Sequence, residues 1–164
     1  MKNKFIFVAA IVIAILVAGF FYNKYRVAPK LKLETLELTD LAGNKTSLDS
    51  FQNKKLFINF FATWCGPCMK ELPSVASAKQ MLSKENFQFI LISDEPIERL
   101  QSFKEKRGAD FLIFHSIKPL QQYQIFSIPT SYVLNAKHEV VLKENGEEDW
   151  ASPALIEKMK RATE

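Results

Sequence analysis

The sequence is short of the residues that build metal centres and cross-links. It has two cysteines and two histidines in 164 residues. Both cysteines fall in "ATWCGPCMKELP", residues 62–73, as Cys65 and Cys68. A structural zinc site needs four ligands, and His115 and His138 are far from the pair and from each other in sequence. Covalent haem attachment needs a histidine after the second cysteine, and Met69 stands there. A disulfide across two intervening residues closes almost no loop, so it adds little stability. No metal is therefore expected.

Basic excess is missing from the body of the chain. Of 22 basic residues, Lys2, Lys4, Lys24 and Arg26 lie in the first 26, where no acid occurs; the remaining 18 balance the 18 acids. The net charge of +4 thus gives no basic face for nucleic acid, and no nucleic-acid partner is expected. Repeats and low-complexity tracts are also absent. An apolar content of 48% with 24% charged residues suits one globular domain with its own core.

What the N-terminus does have is "FIFVAAIVIAILVAGFFY", Phe5 to Tyr22, with no charge in it. At about 1.5 Å per residue this run approaches the length that crosses a bilayer. Its length favours an uncleaved anchor over a signal peptide, whose apolar run is shorter. No cysteine follows it, against a lipoprotein anchor. The expected organisation is an anchor at 1–22, a tether at 23–32 and one domain at 33–164. Basic residues flank the run on both sides, so the positive-inside rule discriminates weakly, and the short N-terminal side makes N-in, body-out the default. The domain would then face an extracytoplasmic, redox-controlled compartment.

Along the body, "LKLETLELTDLAGNKTSL" predicts a hairpin around Gly43-Asn44. "KLFINFFA" and "FQFILIS" are near-continuous apolar runs, as in strands covered on both faces. Leu72, Val75, Ala78 and Leu82 carry a helical spacing after Cys68, with Pro73 expected to kink that helix. Residues 96–107 predict a helix stopped at Gly108, "FLIF" a short strand, and 118–123 a short helix. "SYVLN" and "EVVLK" predict a hairpin turning at Ala136-Lys137, and Ser152-Pro153 the cap and first turn of a last helix. Alternating strands and helices followed by a hairpin predict an α/β domain with a mixed sheet.

The cysteine pair has a direct physical reading. A buried strand running into Cys-Gly-Pro-Cys and a helix puts Cys65 at the helix start. Free amide N–H groups and the helix dipole favour a thiolate there. Gly66 permits a tight turn, and Pro67 costs little in a first turn. Cys68, one turn in and more buried, lies within bonding reach and can resolve a mixed disulfide at Cys65. The pair reads as a two-electron switch, and no cofactor beyond this Cys65–Cys68 couple is expected.

At these residues the chain resembles the thioredoxin superfamily, and more narrowly the membrane-anchored TlpA/ResA/CcmG-type thiol–disulfide oxidoreductases of bacteria. The resemblance covers residues 33–164 and rests on "LELTDLAGNKTSLDSF", "NFFATWCGPCMKELP" and "SIPTSYVLN". It implies a thioredoxin-like fold: a central mixed sheet flanked by helices, with an N-terminal hairpin and an inserted helix and strand between Ser93 and Ser127. It implies a cis bond before Pro129, so that Ile128 presents its backbone to an extended substrate. It also implies that Glu71, on the helix face of Cys68, handles protons, with a pKa raised by burial. The alternative is a solvated helix glutamate. Asn59 stands where ordinary thioredoxins keep a buried aspartate and cannot take up a proton, which would leave that duty to Glu71. Phe61 replaces a common tryptophan. Trp64 is expected to shield the disulfide and contact partners, together with Gly66 and Pro67. Thr63, Met69 and Lys70 are either partner contacts or surface filler, and His115 is read as structural.

By this resemblance the chain is a protein-disulfide reductase at a bacterial cytoplasmic membrane. Its partners would be exported proteins with disulfides, apocytochrome c among them, and a membrane thiol electron donor. A Gly-Pro spacer is the thioredoxin arrangement and leans towards a reductant. Open alternatives are an oxidase or isomerase with the same residues, or a copper(I) chaperone holding the ion on both thiolates.

Overall fold

The computed structural model describes residues 35–107 and 110–164, together with residues 13–15, 17 and 19. The expected tether and Gly108, and most of the expected anchor, lie outside the described residues. Among the described residues no helix is long and apolar enough to cross a membrane.

Seven strands form one mixed sheet: β1 (Leu38–Thr39), β2 (Lys45–Thr46), β3 (Lys55–Phe60), β4 (Phe87–Ser93), β5 (Leu112–Ser116), β6 (Thr130–Leu134) and β7 (Val140–Asn145). Their order is β2-β1-β5-β4-β3-β6-β7. β3 runs parallel to β4 and β4 to β5, while β6 pairs antiparallel with β3 and with β7. β1 and β2 form the short N-terminal hairpin, with Gly43 at φ +86° in its turn. Among residues 35–107 and 110–164 three α-helices follow in chain order: α1 (Gly66–Met81), α2 (Ile97–Arg107) and α3 (Pro153–Ala162). Among the described residues two four-residue 3-10 turns lie at Leu48–Phe51 and Leu120–Tyr123; the first was not expected.

The apolar runs of β3 and β4 are buried because both sheet faces are covered. Side chains alternate across a strand, so Leu56, Ile58 and Phe60 join Ile90 and Ile92 on one face, and Phe57 joins Phe89 and Leu91 on the other. Buried residues of all three α-helices pack on the Phe57 face: Leu72, Val75 and Ala78 of α1, Leu100 and Phe103 of α2, Ile156 and Met159 of α3. Among the described residues the opposite face is covered by the 3-10 turns, through Leu48, Leu120 and Tyr123. The α-helices that flank the sheet thus lie on one face among the described residues. The period of a helix marks its apolar stripe but not which sheet face receives it.

α1 runs through Pro73 as one helical element. One further expectation changes in detail. Ser152 holds the N-cap position of α3 with Pro153 next, yet its side chain makes no capping hydrogen bond. Its backbone N–H instead closes a turn on the Asp149 carbonyl at 3.0 Å.

Candidate active site

β3 carries the site. It ends at Phe60, and Phe61 to Trp64 lead into Cys65, the N-cap of α1. The Cys65 sulfur is bonded to that of Cys68 at 2.06 Å, with the Cα atoms 5.2 Å apart. Cys65 Sγ also accepts the Cys68 backbone N–H at 3.2 Å. A sulfur at a helix start that receives a free N–H is the geometry that favours a thiolate after reduction. Cys65 is 5% exposed and Cys68 1%, so Cys65 is the less buried residue of the pair.

Gly66 differs from its expected reason. It has no positive φ, and a Cβ built there meets nothing within 4 Å. Neither the turn nor crowding demands glycine. Its bare backbone, exposed like Pro67, leaves the approach beside Cys65 open. Trp64, on the loop that leads into Cys65, is 71% exposed.

The second loop arrives from the start of β6. The Ile128–Pro129 bond is cis, as the resemblance implied. The Ile128 carbonyl oxygen lies 3.8 Å from Cys65 Sγ. Pro129 is buried, and its carbonyl accepts the Gly146 N–H at 2.8 Å, which ties this loop to the end of β7. Two residues before Ile128, Phe126 is 76% exposed. Trp64 and Phe126 are thus large apolar side chains on the two loops that meet at Cys65.

Glu71 is not a solvated helix residue; it is 2% exposed. Antiparallel pairing sets Asn59 opposite Ser131, and the strand period turns Asn59 to the α1 face. Asn59 Nδ2 donates to Glu71 Oε1 at 2.7 Å and to Ser131 Oγ at 2.8 Å. Glu71 Oε2 accepts the Glu148 backbone N–H at 3.2 Å and the Trp150 indole N–H at 3.4 Å. Burial pushes the Glu71 carboxyl above its usual value; the Glu148, Asn59 and Trp150 donors oppose this, and the charge of Glu147 adds to the rise. The amide that stands in for the thioredoxin aspartate is therefore a direct partner of the acid.

This shift has a stability consequence. Between the ordinary glutamate value of about 4.5 and the raised folded value, the folded chain holds a proton that the unfolded chain has lost. Stability contributed at this group is therefore present below that window and is lost as pH rises through it. Glu71→Gln is expected to flatten this slope, read from urea midpoints between pH 4 and 8. A slope equal to that of the parent chain would refute it.

One residue that sequence reasoning passed over is a second buried carboxylate. Glu95, 6% exposed, follows β4. Its Oε2 accepts the Thr63 backbone N–H at 2.6 Å, and its Oε1 accepts the Thr63 hydroxyl at 2.8 Å and an Arg99 N–H at 3.3 Å. Ser93 Oγ lies 3.4 Å from Oε2. His115, half-buried, places Nδ1 2.9 Å from the Glu95 carbonyl oxygen, which accounts for it structurally. Thr63 is thus an anchor of the active loop. The available signal was an acid two residues after a near-continuous apolar strand, at the sheet end that carries the cysteines. Of the other two uncertain positions, Met69 packs against the core and Lys70 is exposed.

A paired-cysteine helix start, a facing cis-proline loop and a buried acid on a mixed sheet define a thiol–disulfide oxidoreductase of thioredoxin-like fold. The chain belongs to the AhpC/TSA family, whose sequence profile matches residues 26–143. It is similar to thiol-disulfide oxidoreductase ResA of Geobacillus kaustophilus, 29% identical over 125 residues that cover 74% of this chain and 72% of that one. ResA of Bacillus cereus is 27% identical over 157 residues, covering 90% and 91%. Among solved structures, a Chlorobium tepidum protein described as thiol:disulfide interchange protein DsbE shares the fold at a TM-score of 0.68. It is 20% identical and is matched over 78% of this chain and 92% of its own.

Proposed function

We propose that the chain is a membrane-tethered, extracytoplasmic reductant of protein disulfides, with Cys65 as the attacking sulfur, Cys68 as the resolving one and Glu71 as the proton-handling group. The observation that carries this reading is the position of Cys65 Sγ: at the start of α1, on the Cys68 N–H, and beside the Ile128 carbonyl. In the reduced form the Cys65 thiolate attacks one sulfur of a substrate disulfide. That S–S bond breaks, a mixed disulfide forms, and the departing substrate sulfur takes a proton. Cys68, after losing its proton, attacks the Cys65 sulfur and releases the second substrate thiol. Two electrons pass to the substrate, and the protein is left with its Cys65–Cys68 disulfide. A membrane thiol donor of the same chemistry returns the electrons.

Glu71 sits three residues after Cys68, so it shares that helix face. A carboxyl held above its usual value is suited to accept and return the Cys68 proton. Asn59 can serve both states of the acid. It donates to the carboxylate, and its Oδ1 has no partner among the described residues, so a turned amide could accept from a protonated Glu71. Substrate binding falls to the backbone of Ile128 beside Pro129, to which an extended segment can pair, and to the open rim of Trp64, Gly66 and Pro67. The apolar run from Phe5 to Tyr22 supports the tether and the extracytoplasmic placement. Exported proteins, apocytochrome c among them, would then be the substrates in reach.

The test is the equilibrium of the purified chain with glutathione, together with insulin reduction. A potential below about −200 mV and catalysed insulin reduction are expected for a reductant. A potential well above about −200 mV would assign the same residues to thiol oxidation instead.

A further inference from the structure

Glu95 touches neither sulfur, yet it is built into the loop that delivers the first one. Its carboxylate joins three elements: Thr63 before α1, Ser93 at the end of β4 and Arg99 on α2; His115 of β5 meets its backbone carbonyl. Thr63 is held twice, through its N–H and its hydroxyl, and Cys65 is two residues further on. Two residues span at most about 7 Å of chain, so a negative charge on Glu95, 6% exposed, acts at short range on Cys65, 5% exposed. Arg99 is 60% exposed at its side chain and offsets that charge only in part, because solvent screens it.

We propose that Glu95 is a positioning residue that holds the Thr63–Cys65 loop in place and, by its charge, keeps the Cys65 thiolate from becoming too stable. The idea rests on Cys65 being the attacking sulfur. A protein whose reduced form is over-stabilised becomes an oxidant, because the dithiol then wins over the disulfide. The helix start and the Cys68 N–H both favour the thiolate; Glu95 opposes them and so keeps the couple on the reducing side. Glu71, the other buried acid of the site, faces the Cys68 side of α1 and acts separately.

The measurement is the exchange equilibrium: protein disulfide plus two glutathione molecules gives protein dithiol plus glutathione disulfide, two electrons and two protons passing to the protein. Glu95→Gln keeps an oxygen to accept the Thr63 N–H while removing the charge. It is expected to shift this equilibrium towards the dithiol about three- to tenfold, or about 15–30 mV, and to move the Cys65 alkylation profile to lower pH. Arg99→Met removes the offsetting cation from the surface. At low salt it is expected to shift the equilibrium in the opposite direction by a smaller factor.

Loosening of the loop would move both variants the same way, so opposite signs identify the charge. Shifts of the same sign, or both within twofold of the parent, overturn the proposal and leave Glu95 as a structural staple. Should Glu95→Gln fail to fold, Arg99→Met decides alone, with no shift at low salt counting against the idea. If the parent chain itself does not exchange with glutathione, the reading of Cys65 has failed, which is a distinguishable result.

Discussion

Cys65→Ser is expected to lower disulfide exchange to the rate of protein-free buffer, while Cys68→Ser is expected to stop each chain after half a reaction. The asymmetry follows from where the two sulfurs sit. Cys65 occupies the N-cap, receives an N–H and borders the open Gly66-Pro67 rim. Cys68 is 1% exposed and bonds to the Cys65 sulfur, so it acts on a substrate only after Cys65 holds it. Without Cys68 the mixed disulfide has no resolving thiol within bonding reach, so it persists. Incubation of Cys68→Ser with a disulfide-bearing protein should give one covalent adduct per chain, cleaved by dithiothreitol and visible on a non-reducing gel. Equal trapping by both single variants would mean that either sulfur can attack, and would remove the assignment of roles.

The second large effect concerns stability. Trp150 is fully buried, meets Phe57 edge-on at 4.8 Å, and donates its indole N–H to Glu71. Trp150→Ala removes the largest buried side chain from the face where the helices pack. The expected cost is about 3–5 kcal/mol, a large part of the ~5–15 kcal/mol that a domain has. For a chain of this length that lowers the midpoint by roughly 10 °C. Trp150→Phe keeps most of the ring and loses only the donor, so it is expected to cost about 1 kcal/mol and to raise the Glu71 carboxyl further. Melting curves for the two variants separate packing from hydrogen bonding. An alanine variant that melts within a degree or two of the parent would show that this face does not depend on Trp150.

These two residues also mark what could and could not be read beforehand. The Cys65–Cys68 arrangement is local: a buried strand, a four-residue turn and a helix start are all visible in "KLFINFFATWCGPC". So are β4, α2 and the β6–β7 hairpin, because their periods are written within each segment. The partners of Glu71 are another matter. Asn59, Glu148 and Trp150 lie 12, 77 and 79 residues away, and only the folded sheet brings them to one carboxyl. Glu95 reaches Thr63 across 32 residues for the same reason. The resemblance suggested Asn59 and Glu71 as exchanged duties but not that they touch. It supplied the cis bond at Pro129, which composition and spacing alone would not give.

The sheet has a working end and an idle end. Phe60, Ser93, Thr130 and Asn145 close the strands on the side where the sulfurs react, whereas Leu134 and Val140 join through the 135–139 turn on the other. Five residues of β6 separate the two ends by about 15 Å. A fluorophore or an affinity handle grafted into the 135–139 turn should therefore report on the protein, or immobilise it, while leaving electron exchange untouched.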